Sequence, residues 1–274
     1  MKTRVISAII ALILLFAVLF SGKLVFAISI FALTVVATHE FIEAGAAGGL
    51  RAFKPILYLS ALFVLFAGLK GVLFDFNNNP IVILLIVYII CAAALSKLVY
   101  KHESVRIEDA GFTFLTVFYV IFMFTFLPLI RNMENGIYLI GIVFIGAWGT
   151  DTFAYFAGVN FGKHKMLPKV SPKKSYEGFF GGIAGCVILT IIYGYFLTSK
   201  GIVSFSIYNF VFLGLLNGVL SQLGDWIASA IKRYVGIKDY GKIMPGHGGV
   251  LDRFDSLIFI SPLVYLYLTL LLPV

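Results

Sequence analysis

The sequence predicts an all-α integral membrane protein, a polytopic bundle of about nine transmembrane helices with its N-terminus in the cytoplasm. Three observations carry this. Of 274 residues, 61% are hydrophobic and only 12% charged, about half the charged share of a soluble domain. Apolar runs of spanning length recur along the chain without the period-two alternation of a membrane barrel. The cations also gather in alternate loops, as the positive-inside rule requires of a helical bundle.

A spanning helix needs about 20 mainly apolar residues. The candidates are roughly 4–20, 24–40, 54–74, 80–99, 111–130, 136–158, 178–199, 208–231 and 256–273. Met1-Lys-Thr-Arg before an apolar run resembles a signal peptide, but a second apolar run follows instead of a cleavage site and polar mature region, so the segment reads as a retained span. Only Ser21-Gly22-Lys23 separates the first two candidates, which predicts a tight hairpin or one broken segment. With the N-terminus inside, the cytoplasmic segments collect Lys2 and Arg4, Arg51 and Lys54, Lys97, Lys101 and Arg106, then the two basic loops at 163–174 and 232–253. Lys23, Lys70, Arg131 and Lys200 are left at or near the outer side. The net charge of +8 is thus explained by topology and does not call for nucleic acid. Cys91 and Cys186 lie in apolar runs without metal-ligand spacing and read as small buried side chains. No internal repeat is present. Intramembrane charge is sparse in the first five spans and frequent in the last four. Residues 1–130 therefore read as a membrane scaffold and 131–274 as the catalytic or conducting region.

Chemistry concentrates at one place. Between Ser229 and Asp255 five cations (Lys232, Arg233, Lys238, Lys242, Arg253) and three carboxylates (Asp239, Asp252, Asp255) crowd among Gly-rich turns. Upstream, Asn217, Ser221, Asp225 and Ser229 recur every four residues, one slowly drifting face of a helix. Such a stripe must face protein or water. A carboxylate such as Asp225 costs about 2.5–3.5 kcal/mol near a membrane centre and less near its edge. The plainer reading is a stripe of interhelical hydrogen bonds. Asp252 and Asp255 share a helical face at the start of the last span, where the helix dipole favours anions. They repel unless a cation lies between them. A divalent ion on Asp225, Asp252 and Asp255, all hard oxygen ligands suited to Mg²⁺, answers this; a helix cap plus a surface carboxylate is the alternative.

Ser171-Pro172-Lys173-Lys174-Ser175-Tyr176-Glu177-Gly178 runs into a helix N-terminus, which suits phosphate; a basic loop touching anionic lipid fits the same charges. Gly178, Gly181, Gly182 and Gly185 form overlapping small-xxx-small patterns of close helix packing. Pro245-Gly246-His247-Gly248-Gly249 is a flexible turn able to approach a phosphate, although it lacks the ending of a Walker loop. Asp151 is a further intramembrane carboxylate, open to pairing with a lysine or joining the site. His39, Glu40 and Glu43 read as interfacial.

Together, Ser229, Lys232-Arg233, Lys238-Asp239, Gly241, Pro245, His247-Gly248-Gly249, Asp252-Arg253 and Asp255 resemble the long signature of the phosphatidate cytidylyltransferase (CDP-diacylglycerol synthase) family. Met244 departs from the usual Leu, Ile or Phe, a conservative change. The close match covers about residues 145–260, with Ser171 to Gly178 and Gly224-Asp225 also similar; the first 130 residues agree only in being spans.

The resemblance implies transfer from CTP to phosphatidate, giving CDP-diacylglycerol and pyrophosphate. It also implies Mg²⁺, an optional monovalent cation such as K⁺, a homodimer, and a site at the cytoplasmic face of the cell membrane. On it, Asp225, Asp252 and Asp255 are expected to hold the metal. Lys232 and Arg233, with Lys173 and Lys174, are expected to neutralise the two substrates. Ser171, Lys238, Asp239, His247, Gly248, Gly249 and Arg253 are expected to line the substrate pocket. A transporter would use the polar stripe as an ion path, but predicts charge through the midplane. A CTP-dependent polyprenol or phytol kinase is the nearer alternative, and the full signature through Asp255 favours cytidylyl transfer.

Overall fold

The computed structural model describes residues 2–69, 105–244 and 246–271, with isolated helical positions between 89 and 96. Among the described residues the regular elements are helices and one small hairpin. Helices α1 (Lys2–Phe20), α2 (Lys23–Ala47), α3 (Lys54–Leu69), α4 (Ile107–Asn132) and α5 (Gly136–Phe161) come first. Strands β1 (Lys165–Leu167) and β2 (Ser171–Ser175) follow, then α6 (Tyr176–Ser199), α7 (Ile207–Tyr234) and α8 (Leu251–Leu271).

Six helices among the described residues are long and apolar enough to cross a membrane: α2, α4, α5, α6, α7 and α8. This is a polytopic membrane protein. That count of six among the described residues does not confirm the expectation of about nine spans. Apolar helices at Ile9–Phe20 and Lys54–Leu69 are shorter, and the expected span at 80–99, with Cys91, falls mostly outside the described residues. The first two apolar runs are separate helices, broken at Gly22 with φ 99°.

Contacts divide the chain into two compact units: Met1–Asn132 with Tyr234–Asp252, and Met133–Arg233 with Arg253–Val274. The loop Tyr234–Asp252, grouped by sequence with the C-terminal region, thus packs with N-terminal helices. In the first unit α2, α3 and α4 pack around Phe26, Phe41, Leu57, Ile121, Phe124, Leu127 and Ile130, all buried. Phe41 stacks on Phe112, with ring centroids 5.1 Å apart, and meets Tyr119 and Tyr240 at 5.7 and 5.8 Å. Asp109 starts α4: its carboxylate accepts from the N–H groups of Arg51 (2.7 Å) and Arg106 (3.3 Å) and from the Arg106 guanidinium (3.3 Å). Asp109 thereby satisfies an orphan donor of the helix start and latches the preceding loop onto it.

In the second unit, α5 and α6 lie side by side because glycines let their backbones meet. A Cβ on Gly178 would stand 2.9 Å from the Ala154 carbonyl, and one on Gly182 would stand 2.9 Å from the Ala154 Cβ and 3.0 Å from the Thr150 carbonyl. The small-xxx-small patterns therefore serve packing, as their spacing predicts. A π-helical turn at Ile145–Gly149 widens α5, and a second at Val117–Phe122 widens α4. Cys186 is fully buried in α6. The basic stretch after α5 forms an antiparallel hairpin, Lys165 opposite Ser175 and Leu167 opposite Ser171. Its strands are too short and lysine-rich to register as strands in the sequence.

Gly182→Leu should wedge α5 from α6 and destabilise the protein by about 1–3 kcal/mol. Gly111→Ala, with open space around it among the described residues, should be neutral or stabilising by up to about 1 kcal/mol, since it removes only helix-disfavouring freedom. Thermal melts of detergent-purified protein compare the two directly.

Candidate active site

Charge converges in the second unit on Lys174. Ser175 caps α6, its Oγ accepting from the Gly178 N–H at 3.1 Å. Lys174, the residue before that cap, is therefore fixed at the end of β2. Its Nζ lies 2.7 Å from Asp225 Oδ2 on α7, and both side chains are about a quarter exposed, at 27% and 26%. Along this irregular strand Lys173 is exposed while Lys174 is half-buried. Burial pulls the Lys174 ammonium toward its neutral form. The charge and hydrogen bond of Asp225, with the charges of Asp151 and Asp255, outweigh this and hold its pKa above the ordinary lysine value.

Asp225 reaches this place through the stripe on α7. Asn217 and Ser221 are fully buried, and Asp225 and Ser229 are half-buried. Gly224 brings α8 against it: a Cβ there would lie 2.9 Å from the Asp255 carbonyl and 2.7 Å from the Phe259 Cβ. This contact sets Asp255 beside Asp225, close enough for the two charges to act on each other, with Lys232 also acting on Asp255. Asp255 is buried, and its Oδ1 accepts from the Ser256 N–H at 2.8 Å. Arg253 is exposed and within electrostatic range of Asp151. Of the residues expected in the site, the second unit thus gathers Lys174, Asp225, Lys232 and Asp255. It adds Asp151, leaves Arg233 and Lys173 exposed, and keeps Ser171 half-buried in β2.

The first unit holds the loop Tyr234–Asp252. Gly246 (φ 77°) and Gly248 (φ 89°) adopt left-handed backbone, and the turn is tied by His247 N–H to the Met244 carbonyl (2.9 Å) and Met244 N–H to the Gly248 carbonyl (3.0 Å). Asp252 Oδ2 accepts from the N–H groups of Tyr240 (2.8 Å) and Gly249 (2.9 Å). His247 Nδ1 shares a hydrogen bond with Ser7 Oγ at 2.9 Å. Lys238 and Asp239 are exposed. Pro245 lies outside the described residues.

Among the described residues no three His, Cys, Asp or Glu side chains form a ready-made metal site. Lys174 engages Asp225, and two backbone N–H groups engage Asp252. The donor chemistry still suits Mg²⁺, which takes one or two protein carboxylates and fills its octahedron with water and substrate phosphate. Asp225 and Asp255 supply such a pair. Glu40 has partners that the sequence did not reveal. It is buried within the protein at 4% exposure, and its carboxylate accepts from the Val250 and Leu251 N–H groups, each at 2.9 Å. His39 and Glu43, its neighbours, are exposed as expected. The available signal was an ionisable residue inside an apolar span, which is functional by default.

The profile of the Cytidylyltransferase family matches residues 2–271. A protein of Staphylococcus aureus (strain COL) named phosphatidate cytidylyltransferase is 35% identical over 274 residues, spanning 98% of this chain and 99% of the relative. Proteins of the same name are 32% identical in Staphylococcus epidermidis (strain ATCC 12228), over 98% of this chain and 99% of the relative, and 33% identical in Bacillus subtilis (strain 168), over 98% of each. The similarity therefore extends through the N-terminal helices as well as the signature, and the chain belongs to the cytidylyltransferase family.

Proposed function

We infer that the chain transfers the cytidylyl group of CTP to phosphatidate, yielding CDP-diacylglycerol and pyrophosphate. The observation that carries this is full-length membership of the family, joined to a cluster in which Lys174 faces Asp225, Asp255 and Asp151. In the reaction a phosphate oxygen of phosphatidate attacks the α-phosphorus of CTP. The new P–O bond forms as the bond to the β-phosphate bridging oxygen breaks, and pyrophosphate leaves with that electron pair. The nucleophile is already an anion, so no strong base is needed. The barrier lies in bringing two anions together, which positioning and charge neutralisation lower.

The residues fit those demands. Lys174 is held cationic by its carboxylate neighbours and is placed to transfer its hydrogen bond from Asp225 to an arriving phosphate. Lys232, buried near Asp255, supplies a second positive charge. Exposed Lys173, Arg233 and Lys238 suit the initial capture of anionic substrates. Asp225 and Asp255 would hold Mg²⁺, with Asp252 one helical turn earlier on α8. When bound, the ion supplies Lewis-acid stabilisation of the phosphate oxygens and of the leaving pyrophosphate. A monovalent cation such as K⁺ and a homodimer belong to the same proposal. So does a site at the cytoplasmic face of the cell membrane, which the alternation of basic loops supports. There CTP comes from water while the acyl chains stay in lipid.

Asp225→Asn should keep the fold and lower kcat by at least about 100-fold, the scale of losing one electrostatic contact in a transition state. The measurement is labelled CDP-diacylglycerol formed from labelled CTP, Mg²⁺ and phosphatidate in detergent; near-normal turnover removes Asp225 as a metal ligand. The Lys174 pair makes a second prediction. With its pKa raised above 10.5 in the folded protein, its contribution to stability is complete below that ordinary value and fades as pH rises through the higher folded one. The difference in melting temperature between the parent and Lys174→Gln should therefore hold between about pH 8 and 9 and shrink in strong alkali. A difference already lost between about pH 8 and 9 contradicts the pairing.

A further inference from the structure

We propose that Glu40 is a positioning residue for cytidylyl transfer, acting through the first turn of α8. The inference rests on the reading of Asp252 and Asp255 as active-site carboxylates. The N–H groups at a helix start have no partner within the helix. Where α8 begins, the N–H of Val250, just before the helix, and that of Leu251, its first residue, each donate to a different oxygen of the Glu40 carboxylate, at 2.9 Å. The carboxylate also lies at the positive end of the helix dipole. It is buried on α2, 210 residues away in sequence, so an N-terminal helix grips the start of the helix that bears Asp252 and, one turn on, Asp255.

The glycines of the signature loop are cut to the same carboxylate. A Cβ on Gly249 would stand 2.5 Å from both Glu40 oxygens, and one on Gly241 would overlap Glu40 Oε1. Gly249 also sends its N–H to Asp252 Oδ2. Read from the sequence, Gly249 belongs to a turn able to approach a phosphate; in the structure Gly241 and Gly249 make room for Glu40, and Gly249 delivers a donor to Asp252. The loop is thus folded around two adjacent carboxylates, one anchoring it from α2 and one belonging to α8 itself.

Glu40→Gln is nearly isosteric, but its NH₂ end must face a backbone donor, so one of the two N–H groups loses its acceptor. Two measurements are made on the full chain in detergent. Hydrogen–deuterium exchange over residues 249–257, without substrate or metal, should quicken at least tenfold at Val250 and Leu251. In the CTP–phosphatidate assay kcat should fall at least tenfold, KM for CTP should change less than threefold, and the melting temperature should stay within a few degrees of the parent. Faster exchange with unchanged kcat would reduce Glu40 to a structural latch and overturn the proposal; unchanged exchange would overturn it at once. If Glu40→Gln does not accumulate as folded protein, Gly241→Ala puts the same question by displacing the carboxylate. There too, unchanged exchange or unchanged kcat counts against the proposal. A parent protein without cytidylyl transfer would sink the functional reading instead, while the exchange rates would still decide whether Glu40 grips α8.

Discussion

The constraint on which this structure depends is the cost of leaving an ionised group unanswered inside an apolar chain. The protein answers its acidic groups in two ways. Some carboxylates take backbone N–H groups at helix starts: Asp109 at α4, and Glu40 with Asp252 at α8. Others face ammonium groups, as Asp225 faces Lys174. The first kind fixes where helices begin. The second keeps either charge of the pair from being buried alone. Architecture and chemistry therefore use the same currency of paired charge, in separate places along the chain.

That division bears on how the reaction is served. Transfer between two anions needs positive charge that stays positive in a poorly solvated place. Lys174 has it because three carboxylates surround it. It also needs carboxylates close together without a prohibitive repulsion. Gly224 lets α7 and α8 approach, and Lys174 and Lys232 offset what that approach costs. The glycine of the pair Gly224-Asp225 is thus as much a part of the arrangement as the aspartate.

Much of this was legible in the sequence. The helix positions follow from apolar run length, the α5–α6 contact from glycine spacing, and Asp225 from a four-residue stripe on an apolar helix. The choice of Lys174 over Lys173 was not legible, since it depends on an irregular hairpin that two adjacent lysines do not reveal. Glu40 was hidden for a different reason. Its neighbours His39 and Glu43 are exposed, so the local cluster looks like a span reaching headgroups, and its partners are amides that any residue carries. Backbone acceptors leave no complementary side chain to find. The roles of Gly241 and Gly249 were hidden with it, because a glycine that spares a distant carboxylate reads the same as one that bends a loop.

The short hairpin carries one last implication, for anyone altering the gene. Lys174 owes its direction to its place between a paired strand and the Ser175 cap of α6. Deleting or adding a single codon between Ser171 and Ser175 would change the path from the paired strand to that cap, and with it the direction of Lys174. The bend at 168–170, beyond the paired ends, carries no such constraint. It is the natural place for an epitope or a fluorophore that leaves the lysine in position.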